Sequence, residues 1–176
     1  MENLSGQVAV VTGAARGIGA AIGKRLAAMG ATVALTARDS ARLNEVAQAI
    51  QVAGGRAEYY DFDLLDEGAI ADFAASIRRR HGRCDVLVNN AGVGRIGAPL
   101  HETAPADWDA VMGTNLRGPY LMMRAFAPMM MAARGGHIVN ISSLAGHNPL
   151  KNGAAYAASK WGLNGLTYSV AEELRG

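Results

Sequence analysis

The run Val8 to Val11 is apolar and mostly β-branched, stops at Thr12-Gly13, and is followed by Ile18, Ile22, Leu26 and Met29 at helical spacing. A period of two giving way to a period near 3.6 reads as strand, turn and helix. The turn is Thr12-Gly13-Ala14-Ala15-Arg16-Gly17-Ile18-Gly19. A helix that starts at a strand's C-terminal end directs its free N–H groups and positive dipole end at that point, where the pyrophosphate of a dinucleotide can be received. Gly13 can turn the chain, Gly17 leaves room for phosphate beside backbone, and Gly19 lets helix pack closely on strand. The spacing Gly-x3-Gly-x-Gly departs from the commoner Gly-x-Gly-x2-Gly. Three glycines also suit an ordinary tight turn, so the rest of the chain must decide between the two uses.

The strand and helix cycle repeats. Thr32 to Thr36 reads as a strand, and Leu43, Val46, Ala47 and Ile50 form an amphipathic stripe that ends at Gly54-Gly55. Ala57 to Phe62 is a third strand, and Asp66 caps a helix whose inner face is Ile70, Phe73, Ala74 and Ile77. Asp85 to Val88 is a fourth strand. A long helical region from about Pro105 to Ala133, a strand from His137 to Ile141 and a helix from about Ala154 to Arg175 complete the pattern. Alternation of this kind implies right-handed βαβ crossovers: a doubly wound parallel sheet, α/β in class, with helices on both faces in three layers. No linker or low-complexity run divides residues 1–176, so a single domain is expected.

Composition removes several function classes. A net charge of +2 offers no footprint for a phosphate backbone, so nucleic acid is not an expected partner. No apolar run approaches the roughly 18 residues of a membrane span, and the start lacks a signal-peptide pattern. Membrane is not an expected partner either, and the chain reads as cytoplasmic. One cysteine excludes an internal disulfide, and Cys84, just before Val86-Leu87-Val88, reads as a core residue. His101, His137 and His147 show no ligand-like clustering, so no metal site is expected.

Further motifs follow the glycine turn in order: Asn89-Asn90-Ala91-Gly92 after the fourth strand, then Asn115, Ser143, and Tyr156 with Lys160 four residues on. Together these resemble the short-chain dehydrogenase/reductase family, including its 3-oxoacyl carrier-protein reductases, over about Gln7 to Gly176. The resemblance implies a Rossmann fold that binds a nicotinamide dinucleotide. It assigns Gly13, Arg16, Gly17, Ile18 and Gly19 to the cofactor, and Asn89, Ala91 and Gly92 to the sheet and the adenine ribose. Asp63 and Leu64 fall to the adenine, with ordinary loop capping as the alternative use of Asp63. The family's NAD-selecting acid stands at the end of the second strand, a place filled here by Ala37. Arg38 then offers a donor fork for a 2′-phosphate, with Arg16 nearby, and NADP(H) is the expected cofactor, ahead of NAD(H).

By the same resemblance Tyr156 is the general acid/base, Ser143 orients the substrate oxygen, and Lys160 reaches the nicotinamide ribose. A phenol ordinarily titrates near 10, and a neighbouring ammonium should lower it. Ser142 is the rival of Ser143, but neighbours on a strand point to opposite faces and the spacing to Tyr156 selects Ser143. Asn115 shares a helical stripe with Trp108, Val111 and Met112, so its amide should be buried and need partners. The family uses this Asn to hold a water linking Lys160 to solvent. Pro119, four residues later, cannot donate to the Asn115 carbonyl, so a bend exposing that carbonyl to water is expected.

The implied activity is hydride exchange with a small carbonyl or secondary alcohol, with a 3-oxoacyl thioester as one possible substrate. The alternative is a nucleotide-binding chain without turnover, because the family pattern continues into further strands and a substrate lid beyond Tyr156 and Lys160. On that ground the 176 residues are expected to show little steady-state turnover and to associate. Homo-oligomer contacts are expected through the helices around Met122 to Met131 and Tyr156 to Arg175.

Overall fold

The computed structural model describes residues 3–175, so Met1, Glu2 and Gly176, the ends of the expected unit, lie outside the described residues. Five strands form the sheet: β1 (Val8–Thr12), β2 (Thr32–Ala37), β3 (Arg56–Asp61), β4 (Val86–Asn89) and β5 (His137–Asn140). They run parallel in the order β3-β2-β1-β4-β5. The helices are α1 (Gly17–Ala28), α2 (Ser40–Val52), α3 (Glu67–His81), α4 (Pro105–Met112), α5 (Gly118–Ala132) and α6 (Ala154–Glu173). The chain order reverses at β1, which has β2 on one side and β4 on the other, and this is the switch point where doubly wound sheets open a crevice.

Every residue of β1 and β4 is buried, as expected of central parallel strands covered on both faces. One core layer joins Val33 and Leu35 of the sheet to Leu43, Val46 and Ile50 of α2. The other joins Val10 and Leu87 to Phe73 and Ile77 of α3 and Met122 and Phe126 of α5. Phe126 is fully buried, and its ring meets Phe73 edge-on at 5.5 Å. The helix starts follow local chemistry: Asp39 accepts from Arg42 N and Asp66 from Ala69 N, while Gly82 closes α3 in the left-handed conformation. Cys84 is buried, and burial pushes its thiol up to about 12, which fits a core residue.

One sequence expectation is narrowed and one corrected. On the helix expected to make homo-oligomer contacts, Met122, Met123, Met129 and Met130 are buried with Phe126 in the chain's own core, and of that group only Met131 is exposed. The long helix through Pro119 also does not run as one α-helix. Residues 113–117 form a π turn between α4 and α5, in which Gly118 N bonds to Gly113 O, five residues back. The missing donor of Pro119 is thus met by a change of winding just before it. Asn115 is 0% exposed, so bulk water does not reach its carbonyl as expected.

Asp85 ties the sheet together from below. Its Oδ2 accepts from Val8 N at 2.8 Å, Arg83 holds both its oxygens, and its backbone bonds to Val8 O and His137 N. Burial pushes this carboxyl up, but the hydrogen bonds from Arg83 and Val8 and the Arg83 charge outweigh that and hold it below its ordinary value. A depressed carboxyl stabilises the fold above its unfolded value, near 3.8, and loses that contribution as pH falls through the folded value. Thermal melting should therefore show Asp85→Asn less stable than the parent by about 1–3 kcal/mol near neutrality. The gap should close in strong acid. A gap that persists unchanged at low pH contradicts the assignment.

Candidate active site

At the switch point a cleft of about 850 Å³ opens over the ends of β1, β2 and β4. Its wall is set by one hydroxyl. Thr12 Oγ1 accepts from Asn90 N and Ala91 N, each at 3.0 Å, and donates to Val88 O at 3.4 Å. That uses its one proton and both lone pairs. The Asn90 amide returns the contact by donating to Thr12 O at 3.0 Å and Gly13 O at 3.2 Å. The glycine turn is therefore pressed backbone to backbone on the loop after β4. A Cβ at Gly13, whose φ is +65°, would lie 2.7 Å from Ala91 Cα, and one at Gly19 would lie 2.4 Å from Gly13 O.

Arg16 enters α1 in an extended conformation without capping it, and the first turn carries no acid. Among the described residues the leading N–H groups of α1 thus have no side-chain acceptor, and they sit at the positive end of the helix dipole. Gly17 and Ile18 line the cleft there, and Ile18 is 65% exposed. This donor set fits a diphosphate.

Farther along the cleft, Ala37 ends β2 and offers no hydrogen-bonding side chain. Arg16 and Arg38 line the wall, with Arg38 Nη1 3.6 Å from Asp63 Oδ2. Asp63 also accepts from Leu65 N at 3.0 Å, so it caps its loop as well as facing the cleft. Leu64, Ala91 and Gly92 line the same space, as does Arg42, which the sequence reading passed over. Asn89 does not line it. Its side chain lies buried across the sheet and donates to Asn140 Oδ1 at 2.8 Å, so Asn89 supports the sheet while its neighbour Asn90 meets the cleft.

Beyond Gly92 the second half of the site begins. Val93 N donates to Asn115 Oδ1 at 2.8 Å and Val93 O accepts from Asn115 Nδ2 at 2.9 Å. The buried amide thus pins this loop as a strand neighbour would. Its remaining hydrogen meets Ser159 Oγ at 3.1 Å, and Ser159 in turn donates to Tyr156 O at 2.7 Å. Ser159, fully buried one residue before Lys160, is the link that the spacing of Tyr156 and Lys160 did not disclose. Lys160 is buried, its Nζ lies 5.8 Å from the centroid of the Tyr156 ring, and it donates to Ile141 O at 2.7 Å. Burial holds its ammonium below the usual lysine value.

Ser143 follows Ile141 by two residues, but off the strand, since β5 ends at Asn140. Alternation along a strand therefore does not separate it from Ser142. Hydrogen bonding does: the Ser143 oxygen accepts from Ala145 N at 3.2 Å, which leaves its proton free to donate outward. Ser142 Oγ is enclosed without a partner among the described residues. Tyr156 borders the loop at Gly94, where a Cβ would stand 3.9 Å from Tyr156 Cδ2.

A parallel sheet open at its switch point, with a phosphate-type helix terminus at one end and a Tyr and buried Lys at the other, defines a Rossmann-type oxidoreductase site. The chain belongs to the short chain dehydrogenase family, whose model matches residues 7–176. It is 41% identical over 175 residues to a D-threitol dehydrogenase of Mycolicibacterium smegmatis, covering 98% of this chain and 66% of that protein. It is 37% identical to a 3-oxoacyl-[acyl-carrier-protein] reductase of Thermotoga maritima, covering 98% of this chain and 70% of the other. The crystal structure of a metagenomic short-chain oxidoreductase in complex with NADP matches with a TM-score of 0.95 and 63% identity, covering 98% of this chain and 78% of that one. The chain thus spans 66–78% of the length of these relatives. Among the described residues no helix is long and apolar enough to cross a membrane.

Asn115 is central enough to test directly. In Asn115→Leu both Val93 backbone groups lose their partners, at about 1–3 kcal/mol for each group left dry. A drop in melting temperature of several degrees is expected. An unchanged melting temperature would mean that the loop is held by something else.

Proposed function

We propose that the chain binds NADP(H) in the 850 Å³ cleft and exchanges hydride between it and a small carbonyl or secondary alcohol. The observation that carries this reading is Lys160, buried with no carboxylate paired to it among the described residues and set against the Tyr156 ring. An ammonium taken out of water without a counter-ion is costly to the fold, and such groups gather where chemistry needs them. The solved relative that is 63% identical holds NADP, which supports the same nucleotide here.

The bound nicotinamide supplies hydride chemistry. The chain's own groups do the rest. The α1 N-terminus holds the diphosphate, and Arg38, with Arg16 nearby, meets the 2′-phosphate, for which Ala37 leaves room and no competing acid. Asp63, Leu64, Ala91 and Gly92 flank the adenosine. Ser143 donates its free proton to the substrate oxygen and fixes its direction, while Tyr156 gives or takes the proton at that oxygen. Lys160 faces the Tyr156 ring and can redirect its donors from Ile141 O to a ribose hydroxyl. Asn115 holds Val93 and Ser159, and through them the spacing between the loop and α6. A 3-oxoacyl thioester is one substrate of the required chemistry. The exposed Trp161 and Tyr168 of α6 are the surface we assign to contact with a second copy.

In a screen of small ketones followed by NADPH oxidation, Tyr156→Phe should cost about 10²–10⁴-fold in turnover and leave the NADPH dissociation constant unchanged. Lys160→Met should weaken NADPH binding and yet melt at a higher temperature than the parent, because the uncompensated charge is gone. A variant that melts lower and binds normally would make Lys160 a structural residue.

The 2′-phosphate assignment has its own check. Arg38→Ala should erode the preference for NADPH over NADH by about tenfold or more. An unchanged ratio removes Arg38 from that role.

A further inference from the structure

The stretch from Ile141 to His147 carries Ser143, and α6 holds it at two carbonyls. Lys160 Nζ donates to Ile141 O at 2.7 Å, and Asn164 Nδ2 donates to Gly146 O at 3.0 Å. Tyr156, Lys160 and Asn164 stand at i, i+4 and i+8, one above another on a single face of α6. Ser143 lies between the two grips and is bonded to the turn that the second one holds. Gly146 N donates to Ser143 O at 2.9 Å, and Ala145 N donates to Ser143 Oγ at 3.2 Å. The turn sits directly on the helix, because a Cβ at Gly146 would stand 2.8 Å from both Asn164 Nδ2 and Ser142 Oγ and 3.2 Å from Lys160 O. Asn164 Nδ2 also meets His147 Nε2 at 3.3 Å. An amide nitrogen carries two hydrogens, so both contacts can be donated at once, with the His147 proton on Nδ1.

We infer that Asn164 is a further positioning residue for the reaction: by holding Gly146 and His147 it fixes the Ser143 hydroxyl relative to the Tyr156 phenol. The inference rests on the reading that these two groups meet the substrate oxygen. Three features give it direction. Asn164 stands on the same helix as Tyr156, so one rigid element carries the proton-transferring group and also sets the hydroxyl that orients the substrate. An error of about 1 Å between such groups can cost about 100-fold in rate. Gly146 is buried, so its carbonyl is left dry if the amide is removed, and the turn must shift to find another partner. Asn164 is also the grip that remains once Lys160 turns its donors from Ile141 O to a ribose hydroxyl.

A double-mutant cycle in ketone turnover with NADPH reads whether Asn164 acts through Ser143. Asn164→Leu keeps the shape and removes both donors. It should lower kcat by about 10- to 100-fold and leave the NADPH dissociation constant unchanged. In the Ser143→Ala background the same substitution should cost nothing further, since no hydroxyl is left to misplace. Gly146→Ala pushes the turn off α6 from the other side and should give the same signature. Hydrogen exchange supplies a readout without turnover. The Gly146 and His147 amides, which bond to Ser143 O and Leu144 O, should exchange faster in Asn164→Leu while those of α6 keep their protection. Unchanged kcat or unchanged exchange, or a loss just as large in the Ser143→Ala background, would overturn the inference and leave the roles of Tyr156 and Lys160 standing. A parent chain that turns over no ketone would overturn the oxidoreductase reading and this inference together. Asn164 is only half-buried, so the variants should fold, and melting temperatures within a few degrees of the parent verify that.

Discussion

The Thr12 hydroxyl is the contact on which the site depends. At the switch point β1 and β4 lead into loops that must diverge to open a crevice, yet must stay close enough for their backbones to form one wall. Thr12 resolves this by receiving two consecutive N–H groups of the β4 loop and giving its own proton back to β4. The glycines are a consequence: with the loops held this close, a Cβ at Gly13 or Gly19 would collide with backbone. The exposed N-terminus of α1 is a consequence too, because a turn pressed sideways against Ala91 leaves its front edge facing the cleft.

The same loop that Thr12 anchors at Asn90 and Ala91 is gripped two residues later by Asn115. The cleft and the pair Tyr156 and Lys160 are thus joined through one short stretch of backbone, Asn90 to Gly94. Ser159 carries the connection into α6, so the relative positions of Tyr156 and the cleft are set by hydrogen bonds with no slack in them: each donor and acceptor of the Asn115 amide has a partner.

Much of this was legible in the sequence, because strand and helix periodicities, caps such as Asp66, and the order of the motifs are local properties. What escaped was decided by three-dimensional arrangement. Asn89 and Asn90 are adjacent and chemically identical, and only the pleat of β4 sends the first across to Asn140 and the second to the turn. Arg42 looks like any solvated helix residue until the entry angle of α2 brings it over the cleft. The methionines of α5 read as a sticky surface because periodicity cannot tell a core-facing stripe from an unpartnered one. The expected opening at Pro119 failed for a related reason: a helix can answer a missing donor by rewinding as well as by bending.

That rewinding has a consequence for how this part of the chain tolerates change in length. A π turn holds one residue more than the α turn it replaces, and an α-helix advances about 100° and 1.5 Å per residue. Loss of a single residue from the stretch 113–117 would restore regular winding and leave the core contacts of α5 in register. It would also rotate everything before it, and Asn115 would swing off the face that meets Val93 and Ser159. The helix would gain in regularity what the site loses in alignment. A one-residue deletion here is thus a change in the geometry of the site with hardly any change of fold.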